Sequence, residues 1–176
     1  MRLYDALRCP YCARVRMTLA EKGLEHEAVA IDLQDRPEWI YDLNPAGRVP
    51  VLDDGGFVLP ESAVIMGYLE ETHPDPPLLP ADARARARSQ LLVYRFDDNL
   101  GDDYYAFRRG EPNQLEEKLA VLELGQSLFA DVAYAPWVIR ARELLGVALP
   151  ARLQEWLERL EQRPSVAAEI AVVRSL

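Results

Sequence analysis

The sequence predicts an α/β domain of order βαβαββα followed by an all-α domain. Before residue 73 the apolar runs alternate between short and helical periods, and after residue 82 only helical periods remain. A proline-rich stretch, His73-Pro74-Asp75-Pro76-Pro77-Leu78-Leu79-Pro80, separates the two regions and reads as a stiff linker. The expected domains are residues 1–77 and 82–176.

Arg2 to Tyr4 reads as the first strand, and the apolar set from Cys12 through Val15, Leu19 and Ala20 as a helix ending near Lys22, with Gly23 as its stop. A strand from Ala28 to Ile31 and a short helical stretch from Pro37 to Leu43 follow. Val49 to Leu52 and Phe57 to Leu59 flank Asp53-Asp54-Gly55-Gly56, a hairpin composition. Ser62 to Glu71 is then a helix that His73-Pro74 terminates. In the second region Asp82 caps a long helical segment toward Phe107, which Gly101 bends or breaks. Leu115, Leu119 and Leu122 form one apolar face and Val132 to Leu145 another helix. Leu153, Trp156, Leu157 and Leu160 line a third helix, which Pro150 opens and Pro164 ends.

With 49% hydrophobic and 28% charged residues, the composition is that of an ordinary globular protein. The net charge of −9 argues against nucleic acid and anionic membrane as partners, because phosphate binding needs a basic surface. The start, Met1-Arg2-Leu3, carries no signal-like apolar segment, so the expected location is the cytoplasm. Asp97, Asp98, Asp102 and Asp103 lack the spacing of a calcium loop, and Arg108-Arg109 stands where its distal Glu belongs, so they read as a solvated acidic bend.

Cys9-Pro10-Tyr11-Cys12 holds both cysteines of the chain where the first strand hands over to a helix. Unbonded N–H groups and the dipole at a helix start stabilise a thiolate, so Cys9 is the expected nucleophile, with a lowered pKa. Arg8, Arg14 and Arg16 add positive potential, and Cys12, one turn on, can attack a mixed disulfide on Cys9. A zinc site would need two more ligands, and His26 and His73 are far apart without paired spacing, so no metal is expected. A stable disulfide is disfavoured in a reducing compartment. Two inert buried cysteines remain the plain alternative.

Three motifs in order, Cys9-Pro10-Tyr11-Cys12, Asn44-Pro45-Ala46-Gly47-Arg48-Val49-Pro50 and Pro60-Glu61-Ser62, resemble the glutathione S-transferase family with its thioredoxin-like first domain. Ala130-Asp131-Val132-Ala133-Tyr134 and Arg163-Pro164-Ser165-Val166 resemble family segments of the helical domain. The cysteine motif is similar to that of glutaredoxins and of the cysteine-using, omega-like transferases. The resemblance implies glutathione as cosubstrate, Cys9 and Cys12 as catalytic residues, and a binding site from Tyr11, Arg48, Val49, Pro50, Glu61 and Ser62. It implies a cis bond at Val49-Pro50, with the Val49 backbone pairing to the cysteinyl part of glutathione like a strand. It places the γ-glutamyl end at Glu61 and Ser62, where a helix start favours anions. From the dipeptide alone, Val49-Pro50 would be an ordinary trans turn. Ser62 alone would be a plain helix cap.

Two features depart from the family pattern. Ser127 and Asp131 stand one residue too far apart for a reciprocal capping box, and the stretch from Leu115 to Ala130 is compressed. The expected activity is thiol transfer through Cys9, acting on a disulfide or small electrophile. Glutathione conjugation and a non-catalytic regulator resembling the stringent starvation proteins are the alternatives. A homodimer is expected through the helix bearing Val64, Ile65, Met66 and Tyr68, whose apolar positions exceed one core face.

Overall fold

A computed structural model describes residues 1–176, in two units, Met1–Pro77 and Leu78–Leu176. In the first unit, strand β1 (Arg2–Asp5) pairs in parallel with β2 (Glu27–Ala30) and antiparallel with β3 (Val51–Asp54). Strand β4 (Phe57–Pro60) completes a four-stranded sheet of order β2-β1-β3-β4. Side chains alternate along a strand, so Leu3 and Leu52 face one side of the sheet and Tyr4 and Val51 the other. Helices α1 (Pro10–Glu21) and α3 (Ser62–Thr72) cover the first side with Val15, Leu19, Ile65 and Leu69. The short helix α2 (Ile40–Leu43) closes the second side through Ile40, beside Ile31, Val49 and Cys12. This is the thioredoxin-like arrangement expected from the sequence.

Helix α1 begins at Pro10 rather than Cys12. Proline needs no N–H partner at a first helical position, and Cys9 precedes it in extended conformation as the N-cap. Strand β3 starts at Val51 because Pro50 has no N–H to give a ladder. At the other end of α1, the Lys22 ammonium is enclosed: it meets Glu70 Oε2 at 2.6 Å and donates to the carbonyls of His73 at 2.7 Å and Pro76 at 3.1 Å. The last turns of α1 and α3 and the start of the proline-rich stretch are thereby tied together.

Of the four apolar residues offered for a dimer face on α3, Ile65 and Met66 are fully buried in the core of their own unit. Val64 is 53% exposed, as is Phe57 on β4, whose ring lies 5.4 Å from that of Tyr68. The apolar surface on this side is therefore narrower than the sequence suggests, and Phe57 belongs to it.

The second unit is helical: α4 (Ala83–Tyr94), α5 (Asp102–Arg108), α6 (Leu115–Val121), α7 (Leu128–Glu143), α8 (Ala151–Leu160) and α9 (Pro164–Arg174). Asp82 caps α4 by accepting from Ala85 N at 2.9 Å. Helix α7 is buried along most of its length, with Trp137 under Phe96 at 4.2 Å and Arg140 paired to Glu169 at 2.8 Å, both charges enclosed. No helix is long and apolar enough to cross a membrane.

Three local expectations are corrected here. Gly101 does not break the helix: a π-helical turn, Asp97–Gly101, leads into α5, so the acidic stretch is helix and not a bend. A Cβ at Gly101 would stand 2.5 Å from Asp97 Oδ1 and 2.7 Å from Phe96 Cε1, so glycine lets this turn close. Pro164 opens α9 instead of only ending α8, the same N1 preference that starts α1. Helix α7 starts at Leu128, four residues ahead of the expected Val132, because Ser127 caps it by accepting from Ala130 N at 3.2 Å.

Asp131, one residue beyond the usual capping-box position, reaches back past the cap to accept from Gly125 N at 2.7 Å and from Trp156 Nε1 at 3.0 Å. Burial pushes its carboxyl above the ordinary value, against the lowering pull of those two bonds and of Arg159 and Arg163. A carboxyl raised on folding favours the native state while protonated, and that contribution fades as pH rises from its ordinary value through the raised one. Asp131→Asn keeps an acceptor oxygen for both donors without the charge. Urea unfolding at a series of pH values should show the variant gaining on wild type as pH climbs through this acidic range; parallel curves would show that the charge is not penalised.

Candidate active site

Cys9 enters the site from a turn in which its N–H bonds Ala6 O at 2.8 Å, and its own carbonyl accepts from Ala13 N at 3.1 Å. Its side chain does not cap α1, so the half-buried sulfur is held at the helix start and points to Val49 O, 3.8 Å away. Cys12 lies behind it, fully buried, with its sulfur accepting from Ala6 N at 3.4 Å. Burial pushes the Cys12 thiol well above the usual cysteine value, reinforced by its hydrogen bond to Cys9 and by the charges of Cys9 and Asp5. Cys12 thus stays protonated and donates toward Cys9. Both cysteines are free thiols.

The three nearby arginines have different fates. Arg16 Nη1 pairs with Asp5 at 2.6 Å, which offsets the potential expected from it. Arg8 is exposed. Arg14 is buried, donates to Ser62 Oγ at 3.4 Å and lies 5.3 Å from the centre of the Tyr11 ring.

The loop before β3 is shaped by Asn44, whose side chain donates to Arg48 O at 2.9 Å and accepts from Ala46 N at 3.1 Å. Gly47 has φ +60° beneath the Tyr41 ring, where a Cβ would come within 2.5 Å of Tyr41 Cε1. Val49-Pro50 is cis, as is Asp75-Pro76. Val49 is buried beside Cys9, whereas the Arg48 side chain is exposed. Glu61, exposed, precedes α3 with φ 70°, while Ser62 is buried at the helix start.

The structure therefore brings Cys9, Cys12 and Val49 into one cluster, and joins Ser62 through Arg14 to Tyr11. Arg48 and Glu61 stand at the rim. No group of His, Cys, Asp or Glu is arranged to hold a metal ion. Arg14 is the residue whose place the sequence did not reveal, although its spacing of three from Tyr11 puts both on one helix face.

Residues 3–77 match the family "Glutathione S-transferase, N-terminal domain". The chain is 32% identical to pyrimidodiazepine synthase of Drosophila melanogaster, over 96% of this chain and 79% of that one. It is 31% identical to glutathione S-transferase omega-1 of Mus musculus, over 93% of this chain and 78% of that one. The chain belongs to the glutathione S-transferase family. A stringent starvation protein A homolog of Histophilus somni, 36% identical over 88% of this chain and 82% of its own, is a further relative. The fold agrees: glutathione transferase Omega 1C of Trametes versicolor superposes with a TM-score of 0.79 at 25% identity, covering 99% of this chain and 93% of that one.

A positive φ at a residue with a Cβ costs about 1–3 kcal/mol. Glu61→Gly should remove that cost, less roughly 0.5–1 kcal/mol for the looser unfolded chain, and raise stability by about 1 kcal/mol in the absence of ligand. Thermal unfolding checks this, and a variant less stable than wild type would mean that the conformation at Glu61 is not strained.

Proposed function

We propose that the protein is a glutathione-dependent thiol transferase with Cys9 as its nucleophile. The observation carrying this reading is the half-buried Cys9 sulfur held at the N-terminus of α1, with the buried Cys12 behind it. The helix start stabilises negative charge on Cys9, and the Cys12 donor does the same. A rice transferase of this fold, 27% identical with a TM-score of 0.80, has been solved in complex with glutathione. That relative supports glutathione as the cosubstrate here.

In the proposed reaction the Cys9 thiolate attacks the glutathione sulfur of a mixed disulfide, forming a Cys9–glutathione disulfide and expelling the other thiolate, which takes up a proton. A second glutathione thiolate then attacks that disulfide, releases glutathione disulfide and restores Cys9. Val49 pairs its backbone with the cysteinyl part, Pro50 ends that edge, and Tyr11 and Arg48 flank it. Ser62 and the α3 N-terminus take the γ-glutamyl carboxylate, and Glu61 meets the ammonium group. For protein disulfides Cys12 would attack the Cys9 sulfur and release the substrate thiol, leaving a Cys9–Cys12 disulfide for two glutathiones to reduce.

Cys9→Ser should abolish reduction of a glutathione mixed disulfide, since a hydroxyl is a far poorer nucleophile at neutral pH. Cys12→Ser should keep that activity and lose protein disulfide reduction. Because the Cys12 thiol is held above its usual value, the resolving step in wild type should speed up by about tenfold per pH unit above neutrality until Cys12 ionises. Serine variants matching wild type in every redox assay would favour the regulatory reading, which rests on the similarity to the stringent starvation protein A homolog. Efficient conjugation of a model electrophile without disulfide reduction would favour the conjugating one. Two reduced cysteines suit a cytoplasmic setting.

The proposed macromolecular partner is a second copy, packed on the exposed Phe57 and Val64. Sedimentation should give about twice the 20.0 kDa chain mass, and Phe57→Asp should weaken association by about 2 kcal/mol or more. A monomer at micromolar concentration would remove this partner.

A further inference from the structure

The geometry points to Arg14 as the positioning residue that makes the Ser62 site selective for a carboxylate, an inference that rests on the glutathione reading above. Arg14 lies on α1, 48 residues before Ser62, with its guanidinium Nη1 3.4 Å from the Ser62 oxygen and its side chain buried.

A serine hydroxyl has two lone pairs and a single proton. With the guanidinium donating to one lone pair, the Ser62 proton cannot point back along that line and is turned away from α1. An anion placed at the α3 N-terminus is the acceptor that such a hydroxyl fits. The donation also comes from a permanently charged group, which polarises the hydroxyl and strengthens what it gives onward. Burial sharpens this, because water neither screens the guanidinium nor competes for the hydroxyl.

Tyr11 completes the arrangement from the same helix. Its ring faces the guanidinium at 5.3 Å, within cation–π range, and so limits where the Arg14 fork can swing. The motif between the cysteines thus serves the carboxylate end through Arg14 as well as the thiol end. Glu61, exposed at the rim, carries the opposite charge. A ligand with an ammonium next to its carboxylate finds the two signs in separate places, the cation buried under Ser62 and the anion outside.

The test compares glutathione with 4-aminobutanoyl-cysteinyl-glycine, which lacks only the γ-glutamyl α-carboxylate, by calorimetry on the full chain. Wild type should bind glutathione at least tenfold more tightly than the analogue, the size expected for a hydrogen bond to a charged group. In Arg14→Met and Arg14→Gln that ratio should collapse to about threefold or less, mainly through weaker glutathione binding, with the analogue little changed. Should both neutral variants fail to fold, Tyr11→Leu carries the test. It should lower the ratio by about threefold through the loosened guanidinium. A folded variant that weakens both ligands by the same factor, or neither, overturns the role of Arg14 while the glutathione reading stands. A wild type that does not discriminate between the ligands overturns the carboxylate assignment at Ser62 and this inference with it.

Discussion

The first two turns of α1 are bonded in three directions, and the site is laid out from them. Toward β1 the turn is closed by Cys9 N to Ala6 O and by Ala6 N to the Cys12 sulfur. Toward the loop before β3 the Cys9 sulfur meets Val49 O, and toward α3 the Arg14 guanidinium meets Ser62. Because the helix is also buried against Leu3 and Leu52 of the sheet, it has little freedom to rotate or slide. The thiol, the β3 edge and the α3 start therefore share one reference frame, although Arg14 and Ser62, which link two of these segments, stand 48 residues apart.

The two cysteines differ by depth more than by sequence position. Both lie within the same turn, yet Cys9 precedes the helix in extended conformation with a partly exposed sulfur, while Cys12 is enclosed. The helix start acts on the first, and desolvation dominates the second. In the proposed thiol transfer the outer thiol forms the mixed disulfide, and the inner thiol must ionise before it can resolve it.

Much of the first unit was legible because its punctuation is local. Gly23 ends α1, the Asp53–Gly56 turn fixes the β3–β4 hairpin, and His73-Pro74 stops α3. In the second unit the same residue types misled. Pro164 reads as a stop yet also starts a helix, and Gly101 reads as a bend or a break where the chain runs on through a π-helical turn. Val64, Ile65, Met66 and Tyr68 could not by themselves say which of them the sheet would cover, since that depends on how α3 lies on β3 and β4. The Arg14–Ser62 link was hidden for the same reason: it exists only once α1 and α3 are packed together. The glutathione-site residues are what the family resemblance implies, and the structure gives the geometry of Cys9, Val49 and Ser62 among them.

The enclosed Lys22 has a practical consequence for amine chemistry. The chain carries two lysines, Lys22 and Lys118, its other cationic side chains being arginine and its one further amine that of Met1. Lys118 keeps a quarter of its side chain accessible beside Asp103, whereas the Lys22 side chain has none. An acylating reagent therefore finds one lysine on the folded protein. Acylation at Lys22 requires that the ends of α1 and α3 come apart, so its rate reports opening of that unit from a natural position, with no label introduced.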